Sequence, residues 1–435
     1  MSNKVLSKDW KKSKTFCILP WTHLASWPDG TALLCCVAKG TSGINLNDVT
    51  VKEAINSPHF KQARIAMLNG EQYHACQPCY DEEKSGITSH RLRENDNWNH
   101  KIGEETIDKL VKNTLKNGKI KNDLYYVDFR LGNTCNLSCI MCRPVDSSKW
   151  IKESKILSEE LKTDAKWDWK GKSYIEREKY EWYKRPEFLE SFYESCSNMK
   201  MMIFAGGEPL LIAEHKLIIK ELVSRGYAKN IQVNYHTNGT IYDSELMELW
   251  KNFKRVEIYF SIDGVERINR YLRYPSLHDL VMKNFKKYDD NASDNMYFQL
   301  LYTVQAFNIY YIPEFYEWML SQNFKKINLI PQDLVDGDNT IILGSLHWPQ
   351  YLSTKILPEN IKRKVTEKLT KYVEDNKEKI KGQNVYGSLE LMNSEDWSHL
   401  LSQTKEYIEK LDEMRDLNYK ESFKELVELG LFDGN

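Results

Sequence analysis

Six short apolar runs punctuate the middle of the chain. They are "LYYVDFRL" from Leu124, "MKMMIFAG" from Met199, "IQVNYHTN" from Ile231, "VEIYFSID" from Val256, "YFQLLYTV" from Tyr297 and "KINLIP" from Lys326. Each is dense in β-branched and aromatic residues, so each predicts a buried strand. The intervals are mostly long enough for a helix, as in "DSELMELWKNF", where Asp243 is placed to cap the first turn. Strand and helix in alternation predict a parallel sheet with right-handed crossovers. Six such units approximate a partial (β/α)6 barrel of the TIM-like kind, with functional groups at the C-terminal ends of its strands. From about residue 336 the pattern changes to charged, helix-prone stretches such as "LPENIKRKVTEKLTKYVEDNKEKI" and "SQTKEYIEKLDEMRDL", so 336–435 is expected to be a helical extension. The stretch "WDWKGKSYIEREKYEWY" is longer than one crossover helix needs. A solvated helical insertion accounts for it; a lid or partner surface is the sharper alternative.

Composition narrows the class. With 435 residues, 41% of them apolar and 28% charged, the chain is expected to fold as more than one domain. Its 61 basic and 62 acidic side chains leave a formal charge of −1. That gives no long-range attraction to nucleic acid or an anionic membrane, and neither is expected as a partner. The N-terminal "MSNKVLSKDWKKSKTFCILPW" lacks an apolar core of signal-peptide length, and no run of about 18 apolar residues occurs, so the reading is cytoplasmic. In a reducing compartment nine cysteines, an odd number gathered at short spacings, point to metal ligands rather than disulfides. The 12 tryptophans and 25 tyrosines are expected in the core and its rim rather than along an electron path.

Three cysteines, Cys135, Cys139 and Cys142, fall within "TCNLSCIMC", just after the first predicted strand. Zinc normally takes four protein ligands in a structural site, or three and a water in a catalytic one, and no histidine lies beside this loop. A cubane iron–sulfur cluster also requires four iron ligands, with thiolates as its usual protein donors. Three thiolates leave one iron open for something that is not protein.

The spacing C-x3-C-x2-C on a strand-end loop resembles the signature of the radical S-adenosylmethionine (SAM) enzymes. The resemblance implies a [4Fe-4S] cluster on Cys135, Cys139 and Cys142, with SAM chelated on the open iron by its amino and carboxylate groups. It further implies reductive cleavage of SAM to a 5′-deoxyadenosyl radical. Met141 stands where the family usually carries an aromatic residue, and its polarizable thioether can still lie on the adenine. "AGGEP" resembles the family's GGE segment at the end of the second strand. Gly206 and Gly207 would let the backbone approach a ligand, and Glu208 would accept from the SAM ammonium. Read alone, the same residues make a Gly-Gly turn before a proline-started helix. "HTNGT" resembles the T-N-G segment, with Asn238 near the methionine part of SAM, and "SIDG" sets Ser261 and Asp263 at positions that meet the ribose or the polar end. Each is also an ordinary turn sequence. Arg270 and Arg273 are candidate carboxylate partners, against the plainer account of surface arginines on a helix, and Asn308 follows the fifth strand. The resemblance covers 122–335, read as the radical SAM core.

At the front, Cys17-x12-Gly30-x4-Cys35 is completed by "CQPC" with Cys76 and Cys79. This resembles the auxiliary-cluster module called SPASM or, in shorter form, twitch. It implies a second [4Fe-4S] cluster on Cys17, Cys35, Cys76 and Cys79, with Cys36 spare, in a module over 14–95 followed by a linker helix over 96–121. In most relatives this module follows the barrel; here it precedes it. "PDG" predicts the turn of a hairpin that brings Cys17 and Cys35 together. Thr50 and Glu53 predict a capping box for one helix through "KEAINSPHFKQARIAML". A four-cysteine zinc site tolerates similar spacing and stays open as the alternative. Cys196 reads as a buried apolar residue, and His23, His74 and His236 as structural histidines.

The expected function is that of a radical SAM enzyme, an oxidoreductase or maturase that abstracts a hydrogen atom from a peptide or protein. An external electron donor such as flavodoxin or ferredoxin is expected to feed it. Radical chemistry on a nucleotide or other small molecule is the alternative. In a different class stands a zinc-stabilised adaptor whose basic helices bind nucleic acid, against which the neutral charge and the ordered strand-end motifs weigh. No catalytic residue, proton donor or substrate is named by the sequence.

Overall fold

The computed structural model describes residues 10–40, 42–121, 124–169, 180–326, 341–377, 380 and 383–433. The chain divides into two compact units. One comprises Met1–Asn133, Glu176–Asn234 and Asn252–Arg255, the other Thr134–Ile175, Tyr235–Lys251 and Val256–Asn435. The fold is α/β, with strands alternating with helices along the chain as expected. The first five predicted strands are present as β3 (Tyr126–Arg130), β4 (Met201–Ala205), β5 (Gln232–Thr237), β6 (Arg255–Ser261) and β7 (Met296–Val304), after the shorter β1 (His23–Ser26) and β2 (Ala32–Leu33). The sixth predicted strand, "KINLIP", lies outside the described residues apart from Lys326. The insertion at 167–183 likewise lies outside them from 170 to 179.

In the first unit the front residues form one ladder with the core strands. β1 and β2 pair antiparallel through Ala25↔Leu33 and Ser26↔Ala32, the hairpin expected from "PDG". Its turn is closed by Trp27 N donating to Thr31 O at 2.9 Å. Gly30 there has φ +84°, and a Cβ would stand 2.8 Å from Asn45 Oδ1 and 2.9 Å from the Trp182 ring, so no other residue fits. β1 then runs parallel to β3, His23 opposite Tyr126, and β3 runs parallel to β4. The helix expected from "KEAINSPHFKQARIAML" is divided. Val51–Ala54 carries the capping box, with Glu53 N 3.3 Å from Thr50 Oγ1 and Thr50 N 2.9 Å from Glu53 Oε2. Pro58 opens a second helix, Pro58–Leu68, and holds Ser57 extended at ψ 162°, because the proline ring crowds a helical residue before it. The stretch 96–121 contains the end of the helix His90–Ile102 and all of Glu104–Lys112.

In the second unit β6, β7 and β8 (Ile341–Ser345) are parallel neighbours, with Val256↔Met296 and Leu300↔Ile341 in register. Val256, Ile258 and Phe260 alternate onto the buried face of β6. Asp243 caps Ser244–Trp250 as expected, accepting from Glu245 N and Leu246 N at 3.0 and 3.1 Å. β8 lies inside the stretch expected to be helical; three consecutive apolar residues in a charged region carry too little period to be read as a strand. After it come the helices Glu359–Asp375, Gln383–Asn393 and Leu401–Arg415. Among the described residues Trp21, Trp98, Trp150, Trp169, Trp182 and Trp250 are fully buried, so these tryptophans serve the core.

His23, at the start of β1, is structural. Its ring stacks on Tyr126 with centroids 4.1 Å apart, and its Nδ1 lies 2.9 Å from Leu34 O. Burial depresses its pKa from 6.5 to about 3. A base whose folded pKa is depressed contributes stability that is full above the unfolded value and is lost as pH falls toward the folded one. Urea unfolding should therefore weaken from pH 6.5 downward by up to about 1.4 kcal/mol per unit on account of this residue. His23→Phe should flatten that slope, and an unchanged slope would show that His23 is not buried neutral.

Candidate functional site

The residues that carry Cys135, Cys139 and Cys142 belong to no helix or strand, so their backbone groups need partners from elsewhere. Ser138 N donates to Tyr274 O at 2.6 Å and Ile140 N to Leu272 O at 2.9 Å. Three side chains donate to the loop's carbonyls. Ser147 Oγ reaches Leu137 O at 2.6 Å, Trp150 Nε1 reaches Cys139 O at 3.0 Å, and Tyr407 Oη reaches Ile140 O at 2.7 Å. The Arg415 guanidinium lies 4.5 Å from the Trp150 ring centroid and binds Glu153 through Nε and Nη2 at 3.1 and 2.7 Å. Trp169 completes this packing, 4.6 Å from Trp150 and 6.0 Å from Tyr407. The C-terminal helix Leu401–Arg415 thus anchors the cysteine loop. No local motif marks Tyr407 or Arg415 for that task.

Around the sulfurs the second unit gathers N–H donors. Leu137 N stands 3.5 Å from Cys135 Sγ, and Asn238 Nδ2 approaches the same sulfur at 3.9 Å. Asn238 is fixed by Asn136 Oδ1 at 2.9 Å and by Thr240 N, which donates to its Oδ1 at 3.0 Å. Arg273 Nη1 lies 3.9 Å from Cys139 Sγ. Cys142 donates to Cys139, which pulls the Cys139 thiol below its usual range with help from Arg273, against burial. The same bond, then burial and the neighbouring sulfurs of Cys139 and Cys135, push Cys142 well above it. Behind Cys139, Arg273 Nε is 2.8 Å from Asp263 Oδ2, an ion pair whose N–H is not aligned for a hydrogen bond. Burial works against the guanidinium's charge, and Asp263 first, Cys139 next, keep it protonated.

Asp263 is fully buried, accepts from Thr303 N at 2.7 Å and serves as the counter-charge of Arg273. Asn308 supports the same turn by donating to Asp263 O and Thr303 O at 3.2 and 2.9 Å. Arg270 is exposed on its helix, while Met141 and Ser261 are half-buried. His236 stacks on Tyr259 with centroids 5.0 Å apart, in keeping with a structural role.

The other expected residues lie in the first unit. Gly206 has φ +120°, and a Cβ would meet Gly132 O at 2.9 Å and Arg130 C at 3.2 Å, so its missing side chain is already explained by the protein's own backbone. Glu208 is fully buried and accepts from Leu210 N at 3.1 Å, capping the turn Pro209–Leu211. Cys17, Cys35, Cys76 and Cys79 line a small cavity of about 20 Å³, together with His90 and Arg91. Burial is the main cause that raises all four thiols, Cys17 and Cys35 well above their usual range and Cys76 to about 12. Neighbouring sulfurs add to it: Cys76 and Cys79 act on Cys17, and Cys17 acts on Cys35. Cys36 is exposed, with Sγ 3.9 Å from His90 Nε2, and Cys196 is buried with Sγ 3.2 Å from Phe192 O. His74, on the surface, packs edge-on against His59 at 6.1 Å.

Among the described residues no group of three or more His, Cys, Asp or Glu side chains is in place to hold a metal ion. The donor chemistry of both sulfur sets suits a multi-iron cluster: the triplet has N–H donors at Cys135 and Cys139, which stabilise negative sulfur, and the front four thiols line one cavity among apolar residues.

A family model described as the radical SAM superfamily matches residues 129–318, and one described as the SPASM iron-sulfur cluster-binding domain matches 17–80. The chain thus carries a radical SAM domain and, ahead of it, a SPASM domain. The core of this family binds a [4Fe-4S] cluster and SAM, and the SPASM domain binds iron and sulfur. Solved structures similar to this chain include histidine-tagged anSMEcpe with bound AdoMet, 20% identical, over 58% of this chain and 57% of that one, TM-score 0.37. A second is native anSMEcpe with bound AdoMet and Cp18Cys peptide, 15% identical, over 59% and 62%, TM-score 0.35. A third is Streptococcus suis SuiB bound to precursor peptide SuiA, 14% identical, over 82% and 71%, TM-score 0.36. This chain spans about three fifths of the length of the first two. None of the curated proteins compared matches it.

If Tyr407 anchors the loop, Tyr407→Phe leaves the Ile140 carbonyl without that donor. The expected cost is about 1 to 3 kcal/mol in urea unfolding, with packing otherwise kept. A change below about 0.3 kcal/mol would show that the bond contributes nothing to holding the loop.

Proposed function

We propose that this protein is a radical SAM enzyme that holds a [4Fe-4S] cluster through Cys135, Cys139 and Cys142 and a second one through Cys17, Cys35, Cys76 and Cys79. The observation that carries the reading is the group of three thiols on one loop, with donors at Cys135 and Cys139. Three protein ligands leave one iron of a cubane for SAM. With SAM on that iron, a reduced cluster held by Cys135, Cys139 and Cys142 would supply the one electron needed to cleave SAM to methionine and a 5′-deoxyadenosyl radical, able to take a hydrogen atom from an unactivated carbon. The chain's own residues bind and orient. Asn238, locked through its Oδ1 and Nδ2, donates toward Cys135; Arg273 sets a fixed positive charge beside Cys139. Glu208 is proposed as acceptor for the SAM ammonium, with Gly206 and Gly207 beside it, Met141 as a contact to the adenine, and Ser261 and Asp263 toward the ribose or the polar end of SAM.

A peptide or protein is the proposed substrate, because the SPASM resemblance is to enzymes that modify them. An external one-electron donor of the flavodoxin or ferredoxin class is proposed to reduce the clusters. Among the described residues no helix is long and apolar enough to cross a membrane; a cytoplasmic location is part of the proposal.

Anaerobically reconstituted protein should carry about eight irons per chain, from two four-iron clusters. Stoichiometric zinc without visible charge-transfer absorption would refute the reading. Replacing Cys135, Cys139 and Cys142 together by alanine should abolish 5′-deoxyadenosine formation and leave about four irons at the front site. Continued SAM cleavage by that variant would mean that the cluster on which SAM binds is placed wrongly.

Glu208→Gln tests the ammonium contact. The amide oxygen still accepts from Leu210 N, so the turn survives while the charge is lost. A charge-assisted bond of ~1.5 to 3 kcal/mol corresponds to a fall of roughly 10 to 100 fold in SAM affinity, with iron content unchanged. Titration of SAM against the cluster's visible spectrum measures both, and an unaltered affinity would reduce Glu208 to a cap.

A further inference from the structure

The cavity ringed by the front cysteines has one charged side chain in its wall. Arg91 is 2% exposed and extends from the helix His90–Ile102. Its guanidinium is bonded on several sides. Nε and Nη2 meet the two oxygens of Glu83 at 2.9 and 2.6 Å, and Nη1 donates to Phe16 O at 2.6 Å, with Ser13 O at 3.4 Å. Phe16 directly precedes Cys17, so the arginine is tied to the segment that carries the first thiol. Its backbone N–H donates to Cys79, and its charge acts on Cys17, Cys76 and Cys79. Glu83 is in turn fixed by Ser89 Oγ at 2.5 Å. A buried cation that needed only to fold could pair with its carboxylate anywhere; here the pair stands at the cavity, with the cation in its wall.

We infer that the Arg91–Glu83 pair sets the reduction potential of the cluster held by Cys17, Cys35, Cys76 and Cys79. The inference rests on the reading that these four cysteines hold one. Reduction adds one electron, hence one negative charge, to an already anionic group in a low-dielectric site. A fixed cation beside it favours the reduced form and raises the potential; the carboxylate behind it partly cancels that effect. The two side chains therefore have opposite signs. Glu82, whose charge also acts on Cys79, adds to the carboxylate side.

The test uses the full chain with Cys135, Cys139 and Cys142 replaced by alanine, so that the front cluster alone gives the reduced signal. EPR-monitored titration with dithionite reads its midpoint, and iron is counted in the same samples. Arg91→Met should lower the reduced-to-oxidised ratio at a fixed potential by about ten-fold or more, ~59 mV for one electron. Arg91→Lys should shift it less, and Glu83→Gln should move it in the opposite direction. A purely structural pair would change iron retention or stability without opposite shifts in potential. Full iron content with unshifted midpoints in Arg91→Met and Glu83→Gln overturns the inference. If Arg91→Met loses its iron, Glu83→Gln decides by the same criterion, a rise supporting the inference and no change overturning it. If the parent protein binds no iron at the front site, the cluster reading of the first unit fails, and this inference fails with it.

Discussion

The hydrogen bond from Tyr407 to the carbonyl of Ile140 joins residues 267 apart in sequence, and the chemistry of the second unit depends on bonds of this kind. Cys135, Cys139 and Cys142 sit on backbone that curves and forms no helix or strand. Backbone that gives up regular structure gives up its own partners, and buried orphan carbonyls are costly. The solution is to import donors: an indole from the helix Trp150–Glu160, a phenol from the helix Leu401–Arg415 and a hydroxyl from Ser147. The Arg415–Glu153 pair then links the two contributing helices. What looks in sequence like a charged C-terminal appendage is therefore part of the frame of the cysteine loop.

Charge follows a similar rule in both units. Each cysteine set has a buried arginine near its sulfurs that is paired with an acid: Arg273 with Asp263, Arg91 with Glu83. An unpaired buried guanidinium would be too costly, so the acid makes the cation tolerable, and the cation in turn moderates the build-up of negative charge on sulfur. The geometries differ. Arg91 is held by two aligned bonds to its carboxylate, whereas Arg273 meets Asp263 at one misaligned contact and turns another nitrogen toward Cys139.

Strands and caps are legible in the sequence because their signals are local. "VEIYFSID" alternates on its own, Asp243 and Thr50 cap the next few residues, and Gly30 is required by a turn that the neighbouring Pro28 and Asp29 announce. The cysteine spacings are legible for the same reason. Roles fixed across long separations are not. A four-residue motif marks Asp263 but not its partners Arg273 and Thr303, whose approach no motif encodes. Tyr407 and Arg415 sit in a helix whose sequence differs little from any solvated one, and β8 offers three apolar residues in a row, Ile341, Ile342 and Leu343, with no alternation to declare a period. Pro58 is visible, yet the helix-forming residues on both sides of it mask the break it makes.

The parallel pairing of β1 with β3 has a consequence for how the first unit ends its sheet. A core strand with unpaired N–H and C=O groups would present a template to any other extended chain. Here that flank of β3 is occupied by His23–Ser26, and the flank of β1 is in turn met by β2, which is two residues long. A strand so short offers almost nothing to copy. The segment that gathers the front cysteines thus also acts as a guard against edge-to-edge aggregation, and removing it would bare a hydrophobic strand, Tyr126–Arg130, to its neighbours in solution.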